Sequence, residues 1–252
     1  METHSKITLQ AAEALIRDGF IILDDEVLLK KFRDAVPLIQ KDDFDNVPVA
    51  IDGIEIQGQY NKPSSLYPRR GLYYTPKVST YLHEDQTYIT TLYEATKKVA
   101  DELSENIPEL HAMRGPDCLD VLNIAKYIPE AGNHLTAHTD FGAITIQYSN
   151  QPGLRILTKK WENAKHDTIW IHLADWLQNA LTISRPGLSI GKGMHEVLID
   201  NDKLESQRVF IGLFYEPDLN NRLTSEGETY AQFINKKFAS TYDIDIFDKG
   251  TK

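Results

Sequence analysis

Residues 138–157, HTDFGAITIQYSNQPGLRIL, carry the signals that decide the fold prediction. Two runs in this stretch, 143–148 and 154–157, have the length and composition of β-strands, and a turn sequence, Asn-Gln-Pro-Gly, separates them. Six short strands joined by turns predict two packed sheets, as in a β-sandwich or a double-stranded β-helix (jelly roll). The four other strand-like runs are residues 119–128, 168–173, 194–199 and 208–215.

Helical patterns flank this β-rich part. Thr8 can cap a first helix that Gly19 ends, and Pro37 is expected to stop or kink a second helix. Apolar residues at helical intervals predict a long helix at residues 87–107, and a last amphipathic helix is expected at 229–238. The predicted class is therefore α+β, with a jelly-roll core and with N-terminal and flanking helices.

One segment, residues 41–76, shows no steady period and is rich in Pro, Gly, Tyr and Asp. A long irregular segment inside a compact domain is often a lid or a binding loop, although a plain surface loop is an equally good interpretation. Arg69, Arg70 and Tyr73 in this segment are weak candidates for substrate contacts. We expect one domain over residues 1–252, made of a helical part with the lid (1–117), the core (118–217) and a C-terminal helix and tail (218–252).

Composition limits the partners that this protein can have. The formal net charge is −10, from 37 acidic and 27 basic side chains, so nucleic acid and anionic membranes are poor partner predictions. The single cysteine, Cys118, cannot form an internal disulfide, which fits a reducing cytosol. Because the N-terminus lacks the apolar core of a signal peptide and no stretch is apolar enough to span a bilayer, we expect a soluble, cytoplasmic protein.

A possible metal site begins with His138 and Asp140, because residues i and i+2 of an extended chain point to the same side. His195 follows 57 positions later (195 − 138), and antiparallel strands could return it to this pair. Two imidazoles and one carboxylate can occupy one face of an Fe(II) ion and leave three positions open, although Mn(II) and Zn(II) suit the same donors. Arg208 could then anchor a carboxylate by a two-pronged hydrogen bond, whereas His172 is expected in the core or behind the ligands.

Several motifs in this chain occur in an order that resembles a known family. The N-terminal residues 11–22 are followed by 138–146, Pro152-Gly-Leu, 170–177 (WIHLADWL), Met194-His-Glu-Val and 208–217 (RVFIGLFYEP). In this order they resemble the 2-oxoglutarate/Fe(II) dioxygenases of the isopenicillin N synthase-like family. The resemblance is strongest over residues 118–217, and residues 41–80 match little of the family.

The resemblance implies roles for individual residues. His138, Asp140 and His195 match the iron ligands of the family. Arg208 matches the arginine of its Arg-x-Ser motif, which holds the distal carboxylate of 2-oxoglutarate. Here the chain departs from the pattern, because the serine position is Phe210 and one hydroxyl donor is missing.

The family also places a tyrosine immediately before a proline, pointing into the site. This chain has Tyr127 one residue early, before Ile128 and Pro129. A shift of one residue turns a strand side chain to the other face of the sheet. Either Tyr127, together with Asn123, faces the co-substrate, or Lys126 does.

The implied activity is an oxygenase that uses Fe(II), dioxygen and 2-oxoglutarate as co-substrate to activate a C–H bond of a small molecule. Hydroxylation, desaturation and cyclisation all fit. Arg69, Arg70 and the tyrosines near them could bind a polar or carboxylate-bearing substrate, so an amino acid or a peptide-like metabolite is the expected substrate class. Two alternatives stay open: an Fe(II) oxidase that does not use 2-oxoglutarate, in which Arg208 binds a substrate carboxylate, and a non-catalytic jelly-roll binding protein. A zinc hydrolase is a weaker interpretation, because no general base is evident. The sequence predicts neither the substrate nor the oligomeric state.

Overall fold

The computed structural model of the chain describes residues 7–44, 47–51, 54–60, 69–76, 82–127 and 134–242. Within these ranges, every helix is too short or too polar to span a lipid bilayer. The helices and strands follow in the order α1 (Leu9–Asp18), β1 (Phe20–Leu23), α2 (Glu26–Lys41), β2 (Val47–Ile51), β3 (Ile54–Tyr60), β4 (Arg69–Tyr74), α3 (Thr87–Ser104), α4 (Pro108–Ala112), β5 (Val121–Tyr127), β6 (His134–His138), β7 (Ile144–Ser149), β8 (Leu154–Leu157), β9 (Trp161–Asn163), β10 (Ile169–Leu173), α5 (Asp175–Ser184), β11 (His195–Leu198), β12 (Val209–Tyr215) and α6 (Tyr230–Tyr242).

The strands form two antiparallel sheets, and the predicted two-sheet architecture is confirmed. The large sheet has the order β1-β10-β7-β12-β5-β4-β3-β2, and the small sheet has the order β6-β11-β8-β9. From β5 onward the chain alternates between the sheets, except that β8 and β9 are neighbours in the small one. Eight strands wound in this way form a double-stranded β-helix.

The two faces of the large sheet have different surroundings. On the outer face, the alternate side chains of β5, β7, β10 and β12 pack with the helices in the main hydrophobic core. A smaller apolar cluster lies between the two sheets and includes Tyr127, Ile156, Val197 and Phe210. The inner face also buries the polar residues Asn123, Thr145, Gln147, Ser149, His172 and Arg208. Buried polar groups at this density are unusual for a core and indicate a binding site.

The N-terminal helices form largely as their sequence predicts. The Thr8 hydroxyl accepts a hydrogen bond from the backbone N–H of Ala11 at the start of α1, and Gly19 ends the helix with a φ of 81°. Of the two expectations for Pro37, a stop or a kink, the stop is wrong, because α2 continues to Lys41. Val36 and Ile39 are buried on both sides of the proline, so packing on the core outweighs the loss of one backbone donor.

The prediction of an irregular segment at 41–76 is also wrong for the residues that are described. β2, β3 and β4 extend the large sheet beyond β5, and β4 pairs with β5 from Arg69–Tyr127 to Tyr74–Leu122. The sequence of β3, Ile-Glu-Ile-Gln-Gly-Gln-Tyr, alternates apolar and polar residues at its start, which is the signal that could have identified it. Residues 61–68, which are part of the segment 41–76 where a lid or binding loop was expected, lie outside the described residues.

Candidate metal centre

Two strands of the small sheet bring the predicted histidine ligands together. His138 ends β6 and His195 begins β11, and the two residues are direct partners in the antiparallel pairing of these strands. Their ring centroids are 4.3 Å apart. Asp140 follows two residues after His138, and its Oδ1 lies 3.7 Å from His138 Nε2. One potential ligand atom from each of the three residues lies within 4.8 Å of the others, which is close enough to hold one metal ion.

Backbone carbonyls fix which nitrogen each histidine can offer. Nδ1 of His138 lies 2.7 Å from the carbonyl oxygen of Thr136, and Nδ1 of His195 lies 2.9 Å from that of Gly193. A carbonyl oxygen can only accept, so Nδ1 must carry the proton in both rings. The Nε2 lone pairs are then available to a metal, in the arrangement that metal-binding histidines commonly have.

The charges in the site also suit a cation. Burial raises the pKa of Asp140, but the nearby histidines, where they are protonated, and the hydrogen bond from the Thr145 hydroxyl lower it by more, so the net pKa lies below the usual range. Burial lowers the pKa of His195, which keeps this imidazole neutral. One carboxylate and neutral imidazoles are the forms that bind Fe(II) or a similar ion.

A third histidine, His172, lies beside the predicted ligands. Its ring centroid is 4.4 Å from that of His195, and its Nδ1 is 3.8 Å from Asp140 Oδ2. Burial lowers the pKa of His172 to about 3, so the ring is neutral. His172 was expected in the core or behind the ligands, and the structure places it directly against them.

Arg208 lies between the sheets at the start of β12. Its side chain is 1% exposed, its Nε donates a hydrogen bond to the carbonyl oxygen of Pro152, and its guanidinium lies 4.6 Å from the centre of the Tyr127 ring. Tyr127 therefore points between the sheets. Lys126 points to the other face, where its Nζ donates to the carbonyl oxygens of Gln40 and Asp42. The geometry selects Tyr127 from the two residues that the sequence left open, while its role toward a co-substrate stays a prediction.

Phe210 also points between the sheets, at the position that corresponds to serine in the Arg-x-Ser motif of the family that the sequence resembles. Its ring lies over Gly212, where a Cβ atom would come within 2.3 Å of the ring. The phenyl group thus fills space on the inner face that a serine would leave open, and the glycine makes this possible.

Two buried amides lie on opposite sides of Gly212. Asn123 on β5 and Gln147 on β7 are both register partners of Gly212. Among the described residues, Asn123 Oδ1 and Gln147 Nε2 have no hydrogen-bond partner. A buried polar atom without a partner costs about 1–3 kcal/mol, which is unusual unless a ligand supplies the missing bond. Gln147 was not among the predicted site residues, although polar residues at 145, 147 and 149 alternate with apolar ones along β7.

The three candidate substrate residues of β4 lie on different faces. Tyr73 is the register partner of Asn123, so it belongs to the inner face of the large sheet. Arg70 is the partner of Lys126 and lies on the opposite face, exposed, so the structure does not bring it to the metal ligands. The backbone of Arg69 pairs with Tyr127, while its side chain lies outside the described residues.

Comparison with solved structures identifies proteins of the same fold. A proposed oxygenase from Shewanella oneidensis is 19% identical with a TM-score of 0.69, and the match covers 92% of this chain and 93% of that chain. A proposed 2OG-Fe(II) oxygenase family protein from Caulobacter crescentus is 14% identical with a TM-score of 0.63, at 92% and 93% coverage. The dioxygenase for auxin oxidation 1 from Arabidopsis thaliana, in complex with 2-oxoglutarate, is 19% identical with a TM-score of 0.62, at 88% and 92% coverage.

These matches extend over nearly the whole chain, so the predicted jelly-roll fold with flanking helices is confirmed. No protein-family model and no curated protein sequence matches this chain. Sequence identity below a fifth shows a shared fold and leaves the chemistry to be argued from the site.

Proposed function

We propose that this protein is a non-haem Fe(II), 2-oxoglutarate-dependent oxygenase that acts on a small molecule. One observation carries the proposal: His138, Asp140 and His195 converge, with both Nδ1 atoms bound to carbonyls and both Nε2 atoms available. Two histidines and one carboxylate form the facial ligand set of Fe(II) oxygenases, which leaves three coordination positions open. Bound iron would supply the activation of dioxygen, with 2-oxoglutarate as the source of electrons.

The interior between the sheets fits a polar co-substrate. Arg208 places a permanent positive charge there, and a guanidinium group can bind a carboxylate by two parallel hydrogen bonds. Asn123 Oδ1 and Gln147 Nε2 present an acceptor and a donor without partners among the described residues. The protein's own contribution would be to hold the two organic reactants near the metal and to exclude bulk water, which the buried inner face allows.

The substrate class was predicted from Arg69, Arg70 and the tyrosines near them, which could bind a polar or carboxylate-bearing small molecule. A small amino acid or peptide-like metabolite remains our proposal, and Tyr73 is the candidate contact that the strand register supports. Dioxygen and 2-oxoglutarate are the other proposed partners. The acidic surface argues against nucleic acid.

Turnover of 2-oxoglutarate tests this proposal. Protein loaded with Fe(II) and supplied with 2-oxoglutarate and dioxygen should form succinate at a slow basal rate, and a true substrate should raise that rate. Asp140→Asn is the matched control, because it keeps the size of the side chain and removes the charge. Succinate formation at the same rate in this variant would contradict the proposal.

The second candidate function is an Fe(II) oxidase that does not use 2-oxoglutarate, and Phe210 favours it. The phenyl ring replaces a hydroxyl donor and fills inner-face space beside Gly212. In such an enzyme Arg208 would bind a carboxylate of the substrate instead. Oxygen consumption that depends on iron and substrate but is unaffected by 2-oxoglutarate would establish the oxidase and reject our first proposal.

A further inference from the structure

His172 occupies an unusual place for a histidine. It lies on β10, directly opposite Thr145 of β7, and both side chains belong to the inner face of the large sheet. Its side chain is fully buried, with Phe20 at 5.9 Å on one side and His195 at 4.4 Å on another, measured between ring centroids. Among the described residues, neither ring nitrogen of His172 has a hydrogen-bond partner.

The two oxygens of Asp140 face different surroundings. Oδ1 faces the metal ligand His138, at 3.7 Å from its Nε2. Oδ2 faces the large sheet, where it accepts a hydrogen bond of 2.5 Å from the Thr145 hydroxyl and lies 3.8 Å from His172 Nδ1. The last distance exceeds an ordinary N–H···O hydrogen bond by less than about 1 Å. A small shift of either side chain would therefore close it.

A neutral imidazole carries one N–H group that needs an acceptor. Leaving that donor buried without a partner costs about 1–3 kcal/mol, whereas an apolar ring of similar shape would avoid the cost. Asp140 is the carboxylate that lies next to this ring. The placement of His172 is therefore explained if its donor serves the aspartate when the site is assembled.

We propose that His172 is a positioning residue whose Nδ1–H, together with the Thr145 hydroxyl, holds Oδ2 of Asp140 and leaves Oδ1 alone to bind the metal. The inference rests on the proposed metal centre, and it assigns His172 a role that acts through the metal ligand Asp140. Holding one oxygen restricts Asp140 to a single coordination position, which keeps three positions open for the reactants. Partners of this kind orient ligands, and their loss commonly weakens metal binding 10- to 100-fold, on the order expected here.

Metal affinity, combined with the stability of the metal-free protein, tests the inference. His172→Phe keeps the ring shape and removes both nitrogens. We expect this variant to bind Mn(II) about 10- to 100-fold more weakly, measured by the loss of the free-ion signal in electron paramagnetic resonance. The melting temperature of the metal-free variant should equal or exceed that of the unchanged protein, because a buried unpaired donor is gone. A merely structural histidine would give the reverse pattern, with a lower melting temperature and an unchanged affinity.

Three further variants make the test specific. His172→Gln keeps an N–H donor and should recover part of the lost affinity. Thr145→Val removes the second donor. Its loss of metal affinity should not add to that of His172→Phe, because both groups donate to the same oxygen of Asp140. His166→Phe removes an exposed histidine and should leave the affinity unchanged.

The outcomes separate this inference from the proposed function. If the unchanged protein binds Mn(II) and His172→Phe binds it within twofold, the positioning role is overturned and the metal centre stands. Strict additivity of the two donor losses would also overturn it. If the unchanged protein binds no metal at this site, both the proposed function and this inference fail.

Discussion

At the scale of single residues, the site depends on side chains whose hydrogen bonds leave one atom available. The backbone carbonyls of Thr136 and Gly193 accept hydrogen bonds from the Nδ1–H groups of the two histidines, and the Thr145 hydroxyl donates a hydrogen bond to one oxygen of Asp140. Each predicted ligand is thus held by a neighbour while one donor atom stays open. This arrangement resists loss of geometry when no metal is bound.

The first prediction concerns the charge of Asp140. In Asp140→Asn the carboxylate is replaced by a neutral amide of the same size, so Fe(II) affinity should fall by at least about two orders of magnitude, since a charged ligand of the ion is lost. Metal content after gel filtration measures this. Retention of stoichiometric iron by the variant would show that the ion binds elsewhere.

The second prediction concerns Arg208. Arg208→Lys keeps a positive charge but not the two parallel donors, so 2-oxoglutarate should bind at least about tenfold more weakly, as expected for the loss of one charge-assisted hydrogen bond. Equilibrium binding to the Fe(II) protein without oxygen measures the affinity. Equal affinity for 2-oxoglutarate in both proteins would show that Arg208 does not bind this co-substrate.

The sequence predicted the convergent residues more successfully than the residues that support them. Strand alternation paired His138 with Asp140, whereas His195 was assigned as the third ligand through the resemblance to the dioxygenase family. His172 could not be assigned to the site, because an imidazole in an apolar run is equally compatible with a core. The inward direction of Tyr127 needed the strand register, which no local pattern supplied.

At the scale of secondary-structure elements, β4 is a strand of the large sheet that the sequence did not predict. Gly71 allows β4 to approach β5, since a Cβ atom there would lie 1.9 Å from the carbonyl oxygen of Ile124. An added methyl group would force the strands apart. Glycine in a strand marks such a close approach.

The third prediction follows from this contact. Gly71→Ala should destabilise the protein by about 1–3 kcal/mol, the usual cost of overpacking, measured by denaturant unfolding. Gly187→Ala is the comparison, because it has a φ of 89° and nothing within 4 Å, so its cost comes from the backbone alone. A smaller loss in Gly71→Ala than in Gly187→Ala would contradict the close packing of β4 on β5.

Element prediction succeeded where one local signal dominated. β8 was expected at residues 154–157 and has these bounds, because a turn precedes a short apolar run. β6 and β9 were missed, since His134–His138 and Trp161–Asn163 are short and polar and become strands only through their partners in the small sheet. Non-local pairing of this kind leaves little trace in the sequence of one strand.

At the scale of the whole molecule, the partly buried carboxyl group of Glu216 connects the C-terminal helix to the loop that follows Asp140. Glu216 follows β12, accepts a hydrogen bond from the Tyr230 hydroxyl of α6 and lies against Gly142, two residues after Asp140. Burial raises its pKa to about 8, and the nearby carboxylates of Asp120 and Asp140 add to the increase. The folded protein therefore favours the protonated form of Glu216.

The fourth prediction is the resulting dependence of stability on pH. The pKa of Glu216 is raised in the folded state, so protonated Glu216 contributes to the free energy of unfolding. This stabilisation is fully present below the ordinary glutamate pKa of 4.5 and is lost as pH rises through about 8. Glu216→Gln should flatten the decline in melting temperature over that interval. Glu205→Gln, at an exposed site, is the control. An unchanged decline in the Glu216 variant would contradict the raised pKa.

We propose that His138, Asp140 and His195 bind Fe(II) in a form that 2-oxoglutarate can chelate. The most direct measurement is an oxygen-free titration of the Fe(II) protein with 2-oxoglutarate, monitored by the visible charge-transfer band of the chelate. We predict a saturable band that is absent in His195→Ala and needs a higher concentration of 2-oxoglutarate in Arg208→Lys. Iron bound with no band at any concentration, or a band that persists in His195→Ala, would contradict it.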